Sequence, residues 1–141
     1  MKIQEIWKPA TNTFNNYEVS NLGRVRSVRF LKTKNKTIKT ILKPQIKNGY
    51  YVIELNCYSK LKRVKVHQLV YTTFINPNFV SYLNEYVIDH IDENKLNNKV
   101  DNLQLLTRAD NTRKNILFRK NNKWKKQEYQ FLKTFISQKT Y

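Results

Sequence analysis

Acid is scarce in this chain. Ten Asp and Glu stand against 27 Lys and Arg, a net charge of +17, and the isoelectric point is near 10.0. Such an imbalance calls for an anionic partner. Long apolar runs are also missing, and none approaches the roughly 20 residues that span a bilayer. Nucleic acid is therefore favoured over membrane. Cys57 is the single cysteine, which excludes an intrachain disulfide and a Cys-based zinc site and leaves a reduced thiol in a strand. Met1 to Trp7 lacks the apolar core of a secretory signal. Cytoplasmic action is the expectation. With two glycines and three prolines there is no low-complexity linker, and 40% hydrophobic and 13% aromatic residues exclude wholesale disorder.

What acid there is lies in one place. Six of the ten carboxylates fall between Glu85 and Asp110. A protein that holds a polyanion should shed negative charge near its ligand, so this window implies a task for it, and binding a divalent cation is the natural candidate. Inside the window, Asp89-His90 closes the apolar run Tyr86-Val87-Ile88, and Asn102 and Asn111 follow His90 by twelve and twenty-one residues.

Tyr17 to Leu31 reads as strand material around the turn Asn21-Leu22-Gly23, and residues 32–48 as a basic loop with a short strand. Asn48-Gly49 signals a turn before a hairpin, Tyr50–Leu55 with Lys62–Val66, whose second arm alternates charge with valine. From His67 to Ile75 the apolar period becomes helical, and Asn76-Pro77-Asn78 stops the helix. Tyr86–His90 is a strand, Asp92–Asp101 a loop and Leu103–Leu106 a strand. Thr107 and Asp110 have capping-box spacing for a helix from about Arg108 to Phe118. Tyr129, Leu132, Phe135 and Ile136 form a helix-spaced apolar stripe beyond it.

Strand, polar loop, strand and helix can clamp a metal. Asp89 ends the first strand, and Asn111, one turn into the helix, could face back across the hairpin. A carboxylate oxygen, an amide oxygen, phosphate oxygens and water are the hard ligands Mg²⁺ prefers. His90 points to the other side. With an ordinary pKa near 6.5 it can take a proton from water. Such a site suits hydrolysis of a phosphodiester. An EF-hand does not fit, because its glycine and its twelfth-position glutamate are missing.

Here the sequence resembles the HNH homing endonucleases of phages and mobile introns. The resemblance lies in Val66-His67-Gln68-Leu69-Val70, in Asp89-His90-Ile91-Asp92-Glu93-Asn94-Lys95-Leu96-Asn97-Asn98, in Asp101-Asn102-Leu103-Gln104-Leu105-Leu106-Thr107 and in Asp110-Asn111. A second match, Glu5-Ile6-Trp7-Lys8-Pro9 with Tyr17 to Ser27, is similar to the small N-terminal module that often precedes this core. The resemblance implies an α+β fold, with N-terminal antiparallel strands, a ββα-metal core and a C-terminal basic helix. It implies Asp89 and Asn111 as ligands of one Mg²⁺ or Mn²⁺, His90 as general base, and Asn102 as the asparagine that braces the loop and orients the histidine. Cleavage would leave 5′-phosphate and 3′-hydroxyl ends. Glu93 stands where the family usually has glycine, so a positive φ there would strain the loop. Gln68 replaces a common arginine and Leu105 a common aromatic.

The expected organisation is a β-rich DNA-binding module over 1–49, a nuclease core over 50–118 and a basic helical extension over 119–141. Thirteen Lys and Arg against one acid between Arg24 and Lys65, and eight against one between Arg108 and Lys126, exceed an ordinary solvated face. Lys62, Arg63, Lys65, Arg108, Arg113 and Lys114 are the candidates for phosphate contact. Arg24, Arg26 and Arg29 are the candidates for reading bases. Trp124 and Tyr129 are expected to pack rather than stack on bases, and His67 to pack or touch phosphate. The expected partner is double-stranded DNA, with no membrane and no small-molecule cofactor, and the expected state is a monomer acting in the host cell of a phage or mobile element. A non-catalytic DNA-binding protein that kept the fold is the alternative.

Overall fold

The structure, a computed structural model, describes residues 4–57, 60–79 and 85–137, with only the backbone described over 123–137. The chain divides into two compact units, Met1–Leu105 and Leu106–Tyr141.

The first unit begins with an antiparallel sheet of β1 (Trp7–Pro9), β2 (Tyr17–Ser20), β3 (Val25–Leu31) and β4 (Lys36–Ile41), in that order. Val19 and Val25 face each other across β2 and β3, and both are buried. Strand β4 is exposed along its whole length. The segment expected as a basic loop with a short strand therefore holds a full strand over Lys36–Ile41, paired to β3 from Arg26↔Ile41 to Leu31↔Lys36. Its Lys and Thr content hid the strand, because neither face is apolar enough to alternate.

A second antiparallel sheet joins β5 (Gln45–Lys47), β6 (Tyr50–Cys57) and β7 (Lys60–Lys65). Lys47 pairs Tyr50, so Asn48-Gly49 is a two-residue hairpin turn. Both turn residues have positive φ, 52° and 80°, as a turn matched to the strand twist demands. Along β6 the period is two: Ile53, Leu55 and Cys57 are buried, Glu54 and Asn56 exposed.

Helix α1 (Val66–Phe74) follows β7 without a break and buries Val66, His67, Leu69, Val70 and Tyr71. Its end lies at Pro77's approach, where Asn78 N–H is taken by the Asn76 side chain at 3.0 Å. Val19, Leu55, Val66 and Val70 are fully enclosed, so the core joins both sheets to α1. Strands β8 (Tyr86–His90) and β9 (Leu103–Thr107) form a third, two-stranded sheet.

The second unit is built on α2 (Arg108–Ser137). Thr107 Oγ1 accepts from Asp110 N–H at 3.1 Å and donates to Asp110 Oδ2 at 2.7 Å, which caps the helix start. The expected stop near Phe118 is overturned: one helix runs on to Ser137. No glycine or proline interrupts residues 108–137, so nothing in the backbone ends it. The side chains of Trp124, Tyr129, Leu132, Phe135 and Ile136 lie outside the described residues.

Candidate nuclease site

The loop after β8 is held by its own amides. Asn102, buried at the foot of β9, donates from Nδ2 to Asp92 Oδ1 at 2.9 Å and to the Asn97 carbonyl at 2.8 Å. Its Oδ1 accepts from Asp92 N–H at 3.1 Å, and its carbonyl accepts from Ile91 N–H at 2.9 Å. Asp92 accepts further from Asn94 N–H at 2.9 Å and from Asn97 Nδ2 at 2.7 Å. The Asn97 bond, helped by those from Asn102 and Asn94 and by the nearby His90, holds the Asp92 carboxyl below the usual range although partial burial opposes it. Asn102 and Asp92 thus brace the loop on which His90 sits.

Glu93 adopts φ 62° in this loop. The left-handed region costs a side-chain-bearing residue roughly 1–2 kcal/mol. Glu93→Gly should therefore raise the urea midpoint, by up to about 1 kcal/mol in stability after the unfolded-state entropy of glycine is subtracted. A lowered midpoint would mean that the Glu93 side chain contributes more than its φ costs.

Asp89 and His90 divide as alternate residues of a strand should. Asp89 is half-buried, and its Oδ2 accepts from Gln104 Nε2 at 2.8 Å. His90 is buried, with 3% of its surface exposed. Its Nε2 lies 3.1 Å from Asn98 Oδ1. Asn98 Nδ2 donates to the Leu96 carbonyl at 3.3 Å, so the amide oxygen is the atom turned to the ring. An amide oxygen only accepts, which places the imidazole proton on Nε2 and the lone pair on Nδ1.

The other histidine is beside it. His67, on α1, meets His90 edge to face at 5.0 Å between ring centroids, and Tyr50 lies 5.1 Å from His67 and 6.2 Å from His90. Burial first, then the charges of His90 and Lys65, push the His67 pKa down to about 3. His67 Nδ1 is buried without a hydrogen-bond partner. His67 is a neutral packing residue. Between pH 6.5 and 3 the unfolded chain binds a proton that folded His67 refuses. Stability from this group is therefore complete above pH 6.5 and falls with pH across that window, by about 1.4 kcal/mol per unit well inside it. His67→Phe should flatten the stability profile between pH 6.5 and 5 in urea titrations. A slope equal to that of the wild type would assign the effect elsewhere.

Lys65 Nζ and Lys95 Nζ sit 4.6 Å and 4.8 Å from the centroid of the Tyr50 ring. Two ammonium groups thus gather on a ring that borders His90. Lys65 was expected among the phosphate contacts. Lys95, Tyr50, Asn98 and Gln104 had no assigned role in the sequence.

The arginines of the first sheet are committed differently. Arg26, at 20% side-chain exposure, pairs with Glu18 and stacks 4.0 Å over Trp7. Lys39 joins the same carboxylate at 3.0 Å. Burial opposes ionisation of Glu18, yet the Lys39 and Arg26 bonds hold its pKa below the ordinary value. Arg24 pairs with Glu5 and lies 5.6 Å from Trp7. Arg29 is exposed, as is Lys62. Arg63 meets Glu54 at 2.7 Å, and both remain largely exposed. In the second unit, Arg113 pairs with Asp110 at 3.1 Å, Arg108 is exposed, Lys114 is half-buried, and Asn111 lies in the first turn of α2, where Asn115 Nδ2 donates to its carbonyl at 2.8 Å. Asp89, His90 and Asn102 therefore belong to the first unit and Asn111 to the second.

Known proteins match most of the chain. Residues 5–56 match the NUMOD4 motif, and residues 64–113 match the HNH endonuclease family. The chain is 38% identical over 106 residues to the DNA endonuclease I-HmuI of Bacillus phage SP01, covering 74% of this chain and 54% of that protein. The solved structure reported as DNA binding and cleavage by the HNH homing endonuclease I-HmuI aligns with a TM-score of 0.59 at 33% identity, over 79% of this chain and 57% of the other. The chain thus carries a NUMOD4 motif followed by an HNH endonuclease segment. Two uncharacterised HNH endonucleases of Acanthamoeba polyphaga mimivirus, L245 and L247, are 37% and 31% identical over 98 and 112 residues. They match 69% and 78% of this chain, which spans 26% of each of them. The HNH match includes Asp89, His90, Asn102 and Asn111, and the NUMOD4 match includes Arg24, Arg26 and Arg29. The α+β architecture of antiparallel strands with a C-terminal helix follows that of the family. Among the described residues no helix is long and apolar enough to cross a membrane.

Proposed function

We propose that the protein is a metal-dependent endonuclease that hydrolyses phosphodiester bonds in duplex DNA, with His90 as general base. The observation that carries this reading is the hydrogen bond from His90 Nε2 to Asn98, which leaves Nδ1 as the basic nitrogen of an imidazole buried beside Asp89. A histidine held in one tautomer can take a proton from an attacking water without rearranging.

The residues fit one hard divalent cation. Among the described residues no cluster of three His, Cys, Asp or Glu forms, which argues against a caged zinc site. A half-buried carboxylate with its second-layer amide from Gln104 suits Mg²⁺ or Mn²⁺, which keep several waters and use one or two protein oxygens. Asp89 would hold the ion, and Asn111, which lies within the HNH match, would offer its amide oxygen to it as well. When bound, the ion stabilises the charge that develops on the scissile phosphate. Asn102 holds the loop, and Gln104 aims the Asp89 carboxylate. Lys65 and Lys95, with Arg29, Lys62 and Arg63, would contact DNA phosphates; Arg24 and Arg26 are tied to carboxylates and shape the module's surface more than they read bases.

A supercoiled plasmid tests the reading. Relaxation or linearisation that requires Mg²⁺ or Mn²⁺ and stops with chelator is expected. DNA binding without any cutting would favour a non-catalytic protein of the same fold.

A further inference from the structure

The loop that carries His90 is fastened to the N-terminal module. Asn21-Leu22-Gly23 is the turn between β2 and β3, and the Asn21 carbonyl accepts from Val100 N–H at 2.9 Å. Gly23 has φ +82° and lies directly against Asn98. A Cβ placed on Gly23 would stand 2.9 Å from Asn98 Cβ, 3.0 Å from its carbonyl oxygen and 3.1 Å from its carbonyl carbon. These are backbone atoms and the stem of a side chain, not a flexible tip. Asn98 is itself buried, with 3% exposure, and is fixed at its far end by Leu96 and His90.

We propose that Gly23 and Asn98 are positioning residues for His90: the N-terminal turn, by lacking a side chain, seats Asn98 where its amide oxygen fixes the imidazole as the Nε2–H tautomer. This rests on the nuclease reading and extends it, because the DNA-binding module then becomes part of the catalytic centre. Any side chain at residue 23 must push Asn98 away by several tenths of an ångström. The Asn98–His90 contact is already 3.1 Å, and a shift on the order of half an ångström takes it past the roughly 3.5 Å at which a hydrogen bond ceases. A base freed to change tautomer presents its lone pair to the water only part of the time.

The test uses the full chain with ¹⁵N-labelled histidine. His67 and His90 are the only two imidazoles, so His67 serves as the internal reference. In the wild type, the His90 ring shifts should show a protonated Nε2 and an unprotonated Nδ1. Gly23→Asn is the main variant, since asparagine tolerates a left-handed φ better than other side-chain-bearing residues. It should lower kcat by about 10–100-fold with DNA affinity within about twofold, and move the His90 shifts toward a tautomer mixture while His67 holds. Asn98→Ala removes the acceptor without touching the turn and should do the same. Asn98→Asp keeps an acceptor oxygen and should recover the Nε2–H signature and part of the rate. A folded Gly23→Asn or Asn98→Ala protein with wild-type kcat, or with unmoved His90 resonances, overturns the proposal. A wild type that binds DNA but never cuts overturns the nuclease reading instead, and the ring spectra then still decide the positioning role.

Discussion

His90→Ala should lower plasmid cleavage by about 10²–10⁴-fold, the usual contribution of a positioned general base. DNA affinity should stay close to that of the wild type, because His90 is buried at 3% exposure and is not placed to meet phosphates. The two measurements separate chemistry from binding. Folding needs its own check, since the ring packs on His67 and Tyr50. Loss of a buried ring costs a few kcal/mol at most sites, so cleavage is compared only after circular dichroism shows a native fold. A variant that cuts at the wild-type rate would remove His90 from the mechanism.

The second large effect is expected at Asn111. Asn111→Ala should reduce cleavage at low metal by about 10–100-fold, the range seen when a group that supports a metal site is lost. Raising Mg²⁺ or Mn²⁺ should restore part of the rate, because a lost oxygen ligand weakens ion affinity more than it alters the bound chemistry. Asn111 sits in the first turn of α2, away from the helix middle. Its replacement should therefore leave the fold intact. A metal titration that superimposes on that of the wild type would take Asn111 out of the ligand set, leaving Asp89 to act with phosphate and water oxygens.

Much of this was legible in the residues because local patterns carried it. Alternation gave the β6–β7 hairpin, the proline at residue 77 ended α1, and Asn48-Gly49 marked a turn, which the fold shows to join β5 to β6. The motif around Asp89 and His90 pointed to chemistry before any geometry was available. The misses have physical causes. The place and extent of β4 escaped because a strand exposed on both faces has no apolar period. Helix α2 ran past Phe118 because helices stop at breakers, and none is there. Asn98 escaped because Asn97 and Asn98 are the same residue type side by side, and only the loop's course decides that the second faces the imidazole. Tyr50 reaches His90 from a distant part of the chain and there also meets Lys95, and sequence spacing holds no record of such contacts. Glu93 is the instructive middle case. Its departure from glycine was visible, and the positive φ that makes it matter came only with the fold.

The ion-paired arginines illustrate how charge alone misleads. Arg24 and Arg26 head a strongly basic segment, yet each is matched to a carboxylate and stacked on Trp7. Both carboxylates, Glu5 and Glu18, are largely covered, so these pairs tie the two guanidinium groups down to the module. Under the proposed function, net charge brings the polyanion close and Lys65 and Lys95, gathered on Tyr50, would contact its phosphates.

The central claim is that His90 primes water against a DNA phosphodiester with a divalent ion in attendance. Cleavage of duplex DNA in oxygen-18 water, followed by mass analysis of the new ends, tests it most directly. The account predicts a single label on the 5′-phosphate, unlabelled 3′-hydroxyl ends, no product when chelator is present, and product lowered by at least about a hundredfold when His90 is alanine. Label on a 3′-phosphate, or equal cutting in the presence of chelator, would contradict it.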